Sequence, residues 1–309
     1  MKRYAIIGNG PAGAGAAETI RRLDALARIT IISDEGYPFY RREHIARLLS
    51  GEETEEQLFE KGRDLHLKIG ADLVHGKVSR ISPKEARLRL NNGSTIEYDV
   101  LLIASGGRPA SPSIPGSHLN AVSPLYTLDE AKKMAQSARN AKAALVIGGG
   151  TIGLKVAPTL RQIGHKVTLV EKSDRLWPTM LDGRASQVLA KRLEDHGIEV
   201  KLNDEVLAFQ GEEGRLRAAG LRSGSAVPCD LAVMAVGMRP SVDFLRDSGV
   251  KTDVGILVDS CLRTNIPNIF AAGDVAQSPD ALLGAATLHP TWSSAEEQGV
   301  LAARNMVGS

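Results

Sequence analysis

Cysteine is nearly missing from this sequence. Only Cys229 and Cys261 occur in 309 residues, far apart and in no CxxC pair. That excludes a disulfide framework and leaves no thiolate cluster for a metal, so two reduced thiols and no metal site are expected. A surplus of one charge is missing too: 38 Lys+Arg stand against 36 Asp+Glu, without long like-charge blocks. This balance argues against a nucleic-acid or membrane-surface role. No apolar run approaches the ~20 residues of a membrane span. The opening Met1-Lys-Arg-Tyr-Ala-Ile-Ile7 starts like a basic signal-peptide head, but its apolar stretch ends at Gly8, too short for an h-region. It reads as a first strand of a cytoplasmic protein.

What the sequence does have is glycine, 31 residues of it, with 43% hydrophobic residues. These proportions fit an α/β protein with ample core, and the length suits two domains at about 150 residues each. Tyr4-Ala-Ile-Ile-Gly8-Asn-Gly10-Pro-Ala-Gly13 opens the chain, and Leu145-Val-Ile-Gly148-Gly-Gly150-Thr-Ile-Gly153 repeats the pattern in the middle. Each copy is a short apolar run, then GxGxxG spacing, then helix-forming sequence. A second apolar strand follows each helix: Ile29-Thr-Ile-Ile32 and Val167-Thr-Leu-Val170. The first glycine permits a tight turn, the second lets backbone approach a pyrophosphate, and the third lets helix and strand pack closely. The helix start then receives the negative charge. An acid about 20 residues on can bind ribose hydroxyls. Asp34 and Glu35 follow the first unit, and Glu171 closes the strand of the second. One such turn is weak evidence, since glycines also serve ordinary turns; two copies in the same context point to two dinucleotide sites.

Four further segments carry a family resemblance. Tyr98-Asp-Val-Leu-Leu-Ile-Ala104-Ser105-Gly106-Gly107-Arg108-Pro109 resembles the strand and ATG-type turn that close an FAD domain. Ala232-Val-Met-Ala-Val-Gly237-Met-Arg-Pro240 resembles its counterpart after an NAD domain. Thr264 to Asp274, ending Phe270-Ala-Ala-Gly273-Asp274, resembles the segment whose aspartate binds the ribityl or phosphate part of a flavin. Ala286 to Gly299, with Trp292, resembles the helix entry beside a flavin ring. Together they are similar to the FAD-dependent pyridine nucleotide-disulfide oxidoreductases, in the branch of rubredoxin reductases, ferredoxin reductases and flavin modules of NAD(P)H nitrite reductases. The resemblance spans essentially the whole chain in order.

That resemblance implies an α/β fold of two Rossmann-like, glutathione-reductase-type domains. Residues 1–112 and 243–309 would form a discontinuous FAD domain, with an NAD(P)H domain, 113–242, inserted. Pro109, Pro112, Pro115 and Pro240 mark the joints. Members normally carry a further C-terminal interface domain that this sequence does not include; oligomeric state stays open.

The implied FAD contacts are Gly8, Gly10, Pro11, Ala12, Gly13, Val78, Ala104, Ser105, Gly106, Arg108, Gly273, Asp274 and Trp292, with Asp34 or Glu35 on the ribose. Ser33, directly after the strand, is not acidic. Tyr40 to Arg47 resembles a segment written Y-x-R-P-L-L-S-K, so Arg42 would meet the FAD phosphate and Arg47 would stand for a lysine near the flavin ring. The implied NAD contacts are Gly148, Gly150, Thr151, Ile152, Gly153, Glu171, Lys172 and Gly237. Glu171 favours NADH over NADPH, because a carboxylate accepts from a 2′-hydroxyl and repels a 2′-phosphate, although Lys172 next door offsets part of that repulsion. Ser293 and Glu296 stand at capping-box spacing, and that helix start would aim N–H groups at the flavin pyrimidine. Hydride transfer is cofactor chemistry and needs no dedicated acid or base.

Three departures shape the reading. Where disulfide-reducing and peroxide-reducing branches keep a redox cysteine, this chain has Arg41, Arg42, Glu43 and His44. With no thiolate there, electrons leave the flavin directly. Lys155 stands where the branch places a glutamate facing the nicotinamide, and Pro158 predicts a kink in the same helix. The leading expectation is an NADH-dependent flavin oxidoreductase serving rubredoxin, ferredoxin or a nitrite-reducing centre. A nucleotide-binding redox sensor or non-catalytic subunit, and an oxidase using dioxygen, are the alternatives.

Overall fold

The computed structural model describes residues 1–59 and 62–308. By backbone proximity the chain divides into two compact units. The first comprises Met1–Arg41, Phe59–Arg108 and Arg239–Ser309; the second comprises Arg42–Leu58 and Pro109–Met238.

In the first unit the runs rich in Ile, Val and Leu are buried on both faces, as parallel strands covered by helices require. Arg3–Ile7 lies mid-sheet, with Arg28–Ser33 and then Asp72–His75 on one side, Val100–Ile103 and then Ile269–Ala271 on the other. All four pairings are parallel. The strand order therefore reverses beside Arg3–Ile7, the topological switch point at which such sheets bind ligands. Helix Pro11–Leu23 follows that strand, with Pro11 at its first turn, where the missing N–H costs nothing. The C-terminal helix Trp292–Val307 packs along it. Small residues make that approach possible: a Cβ on Gly299 would lie 2.1 Å from the Ala12 carbonyl oxygen. Val78–Ser82, Arg87–Leu90 and Thr95–Glu97 form an antiparallel meander leading into Val100–Ile103.

The second unit repeats the plan. Ala143–Ile147 lies mid-sheet, Lys166–Val170 and Ile198–Lys201 on one side, Leu231–Met234 and Val122–Ser123 on the other, again all parallel. A meander of Val206–Glu212, Arg215–Leu221 and Ala226–Pro228 leads into Leu231–Met234, the counterpart of the one before Val100. Helix Leu128–Ala138 starts at a complete capping box formed by Thr127 and Glu130. Helix Thr151–Gln162 runs through Pro158 as one element. The predicted kink does not divide it, and the Thr159 hydroxyl donates to the Lys155 carbonyl at 2.8 Å.

The segment Arg42–Leu58, expected with residues 1–112, groups with the second unit instead. Its short helix Ile45–Ser50 buries Ile45, Ala46 and Leu49 and packs against helices Leu128–Ala138 and Thr151–Gln162. Lys132 adds an ion pair to Glu55 at 2.6 Å. The boundaries fall at 108/109 and 238/239, a few residues before those read from the sequence. Among the described residues, no helix is long and apolar enough to cross a membrane.

Candidate dinucleotide sites

Two turns of matching geometry occupy the two switch points. In the first, the Gly8 N–H donates to the Ile32 carbonyl and the Ala104 N–H to the Ile7 carbonyl, both at 2.8 Å. In the second, Gly148 donates to Val170 and Ala235 to Ile147, again at 2.8 Å. Gly8 and Gly148 have φ of 113° and 103°, a region that side chains other than glycine rarely enter. A Cβ on Gly8 would lie 2.0 Å from the Ala104 oxygen, and one on Gly148 would lie 2.3 Å from the Ala235 oxygen. The third glycines pack against the first: a Cβ on Gly13 would be 2.0 Å from the Gly8 oxygen, and one on Gly153 would be 1.9 Å from the Gly148 oxygen.

The middle glycines differ from these. A Cβ on Gly10 or Gly150 would meet nothing within 4 Å. Neither has positive φ, and each precedes a helix that no side chain caps. No protein atom fills the space beside either glycine, so the backbone at both helix starts is open to a group from outside. A pyrophosphate at an uncapped helix N-terminus is that kind of group, and both turns fit one.

At the first turn Ala104 and Ser105 lie against Gly8, and Gly273 lies against Ala12. Ser105 donates to the Ser241 carbonyl at 2.9 Å, and Gly106, at φ 62°, accepts from the Ser241 N–H. Arg108 pairs with Asp243. Gly273, at φ 78°, lies where a Cβ would touch the Ala12 Cβ at 3.1 Å, and its N–H donates to the Gln298 side chain. Asp274 follows it, partly buried. Val78 is buried in the first strand of the meander, close to the Gly76 N–H that donates to the Ser33 carbonyl. The two acids offered for the ribose separate clearly. Glu35 accepts a hydrogen bond from the Tyr40 hydroxyl at 2.8 Å, whereas Asp34 is exposed.

One expectation changes, the cap of the last helix. Thr291, in extended conformation, caps helix Trp292–Val307 by accepting from the Ser294 N–H; Ser293 lies inside the helix, and Ser293 with Glu296 does not form the cap. Trp292 is partly buried, its ring 5.8 Å from that of Phe39. The Arg42 guanidinium donates to the Tyr126 carbonyl at 2.8 Å and lies 4.4 Å from the Tyr126 ring centroid. Arg47 bridges Glu53 at 2.8 Å, and the same Glu53 oxygen meets His44 Nδ1 at 2.8 Å.

In the second unit, Thr151 and Ile152 open the helix, Gly237 has φ 111° with nothing near a Cβ, and Lys155 and Lys172 are exposed. Glu171 is only 7% exposed. One carboxylate oxygen accepts from the Gly149 N–H at 2.6 Å and the other from the Ser173 N–H at 2.8 Å. The sequence reading assigned Gly149 no role. In fact a Cβ there would strike Leu176 Cδ2 at 2.6 Å, and its carbonyl accepts from the Trp177 N–H at 2.9 Å. The run of three glycines was the one available hint.

Of the two cysteines, Cys261 is exposed and Cys229 buried. Burial, with some help from Asp230, pushes the Cys229 thiol up to about 12. It carries no thiolate at neutral pH.

Two nucleotide-type folds with paired glycine turns define a dinucleotide-dependent oxidoreductase architecture. Residues 2–299 match the family described as pyridine nucleotide-disulphide oxidoreductase, and the chain belongs to that family. It is 32% identical over 308 residues to the ferredoxin--NAD(+) reductase component of the 3-phenylpropionate/cinnamic acid dioxygenase of Photorhabdus laumondii, covering 99% of this chain and 77% of that protein. The ferredoxin reductase for the CYP199A2 system of Rhodopseudomonas palustris superposes with TM-score 0.95 at 29% identity, over 100% of this chain and 77% of that one. A water-forming NADH oxidase from Lactobacillus brevis superposes with TM-score 0.92 at 27% identity, over 99% and 70%.

Proposed function

We propose that this chain is an FAD-dependent NADH oxidoreductase that feeds a small electron-carrier protein of ferredoxin or rubredoxin type, or a nitrite-reducing centre, in the cytoplasm. The observation that carries the reading is the pair of open middle glycines, Gly10 and Gly150, each facing no protein atom at an uncapped helix start. When bound, the two cofactors supply the chemistry, a hydride passing from nicotinamide C4 to flavin N5 and electrons then leaving one at a time. The protein's part is binding and orientation. Gly8, Gly10 and Gly13 cradle the FAD pyrophosphate, Asp34 is open to its ribose, and Gly273–Asp274 sits against Ala12 at the same helix start. Gly148, Gly150 and Gly153 cradle NADH, with Glu171 at its ribose. The stretch 41–44 holds no cysteine, and Cys229 is buried and protonated, which supports direct exit of electrons.

Purified protein is expected to be yellow and to bleach with NADH under anaerobic conditions, then to reduce a ferredoxin stoichiometrically. A colourless chain that refuses added FAD, or bound flavin untouched by NADH, overturns the proposal. The likeness to an NADH oxidase gives a second reading, distinguished by product. Dioxygen consumption outpacing carrier reduction would favour it.

A further inference from the structure

We infer that the loop Glu171–Trp177 is a clamp that fixes the nicotinamide-side pyrophosphate turn, with Glu171 acting as a positioning residue for that turn as well as a ribose acceptor. The inference rests on the second unit binding NADH, as proposed above. Three contacts from one loop converge on Gly149. The Glu171 carboxylate takes its N–H at 2.6 Å, the Trp177 N–H is donated to its carbonyl at 2.9 Å, and Leu176 covers the face where a side chain would stand, 2.6 Å from a Cβ. Both peptide groups of the residue between Gly148 and Gly150 are thus held from outside the turn. The loop is itself anchored, because the Ser173 N–H closes on the other Glu171 oxygen and the Leu176 N–H donates to the buried Ser186 hydroxyl at 2.8 Å.

The first unit supplies the internal contrast. Strand register sets Ile32 opposite Ile7 and Val170 opposite Ile147, so Ser33 occupies the place of Glu171 and Asn9 that of Gly149. Ser33 turns its hydroxyl to the Glu35 carbonyl. The same turn is therefore built twice, and in the second copy a buried carboxylate is tied to its middle. A carboxylate placed beside the seat of a pyrophosphate works against that anion. Its retention is accounted for by the two backbone N–H groups it orients. Each of its oxygens keeps a lone pair for a ribose hydroxyl.

A reader of the 2′-hydroxyl and a clamp on the turn respond differently when that hydroxyl is removed from the substrate. The full chain, loaded with FAD, is assayed with NADH, with its 2′-deoxyadenosine analogue, and with reduced nicotinamide mononucleotide, which lacks the pyrophosphate and adenosine. Glu171→Gln presents an amide N–H₂ where an acceptor was. It is expected to raise KM about tenfold for the deoxy analogue, the loss of one charge-assisted hydrogen bond to the turn, and further for NADH, whose ribose contact it also removes, with kcat retained. Turnover of the mononucleotide should be unchanged, which also reports that the variant is folded. Gly149→Asn, which copies the first unit and leaves Glu171 in place, is expected to raise both KM values alike and to leave mononucleotide turnover unchanged. A Glu171→Gln KM for the deoxy analogue equal to that of the unaltered protein overturns the clamp, as does a Gly149→Asn variant with both KM values intact. If the unaltered protein fails to oxidise NADH, the underlying functional reading falls instead.

Discussion

At the scale of single residues, the three glycines of each turn do three different jobs, and substitution separates them. Gly13→Ala drives a methyl group to within 2.0 Å of the Gly8 carbonyl oxygen, a backbone atom that cannot step aside. It is expected to cost roughly 1–3 kcal/mol, as overpacked sites do, and to lower the apoprotein's melting temperature. Gly10→Ala meets no protein atom and has a backbone conformation open to alanine. Its apoprotein should melt within a few degrees of the unaltered chain, yet flavin absorbance after dialysis should fall. Equal stability loss in the two variants would show that Gly10 serves the fold alone. These glycines were legible in the sequence because each role depends on spacing within six residues. Glu171's grip on Gly149 was not, because it joins atoms 22 positions apart through a turn of the chain that spacing does not describe. The Arg42 contact with Tyr126 escaped for the same reason.

At the scale of elements, helix and strand identity followed from apolar runs, while their pairing partners followed from burial. The central strands of both sheets were readable as continuous apolar runs. The two meanders were not read at all, since strands such as Arg87–Leu90 alternate charge and leucine and have only one buried face. The allegiance of Arg42–Leu58 depends on where Ile45, Ala46 and Leu49 are covered, which local sequence does not report. Where elements do meet, two tests apply. Arg3, on the first strand, takes Asp99 at 2.8 Å and Glu97 at 2.6 Å, and the Arg3 N–H also donates to Asp99. These hydrogen bonds hold the Asp99 carboxyl below the usual carboxylate range. A depressed folded-state pKa contributes stability at neutral pH that disappears as acid protonates the group, so stability should decline below about pH 4. Arg3→Met should flatten that decline in urea titrations repeated at several pH values. The effect is small, because the pair is exposed to solvent. At the helix crossing, Gly299→Ala directs a methyl at the Ala12 carbonyl oxygen, 2.1 Å away. It is expected to cost about 2 kcal/mol and, by displacing Ala12, to weaken flavin retention as well.

At the scale of the whole molecule, belonging to a family whose description includes disulphides does not make this chain a thiol enzyme. A variant with Cys229→Ala and Cys261→Ser should retain NADH-dependent carrier reduction within about twofold, since an alanine at the buried position removes only one small group. Loss of activity with flavin still bound would reveal a thiol step. The duplicated plan also explains how far a single sequence could be read: the glycine turns and apolar strands that the two copies share were visible twice, whereas the Glu171 contact that distinguishes them was not visible. One consequence concerns the second copy's ends. The Ala110 N–H donates to the Gly237 carbonyl at 2.9 Å, so the long stretch between them leaves and returns through neighbouring backbone. A stretch whose entry and exit touch can be exchanged as a cassette. Grafting a homologue's residues 110–237 between those two points, together with its equivalent of Arg42–Leu58, which packs on that stretch, is expected to alter the reductant preference while leaving the surrounding sheet's strand order intact.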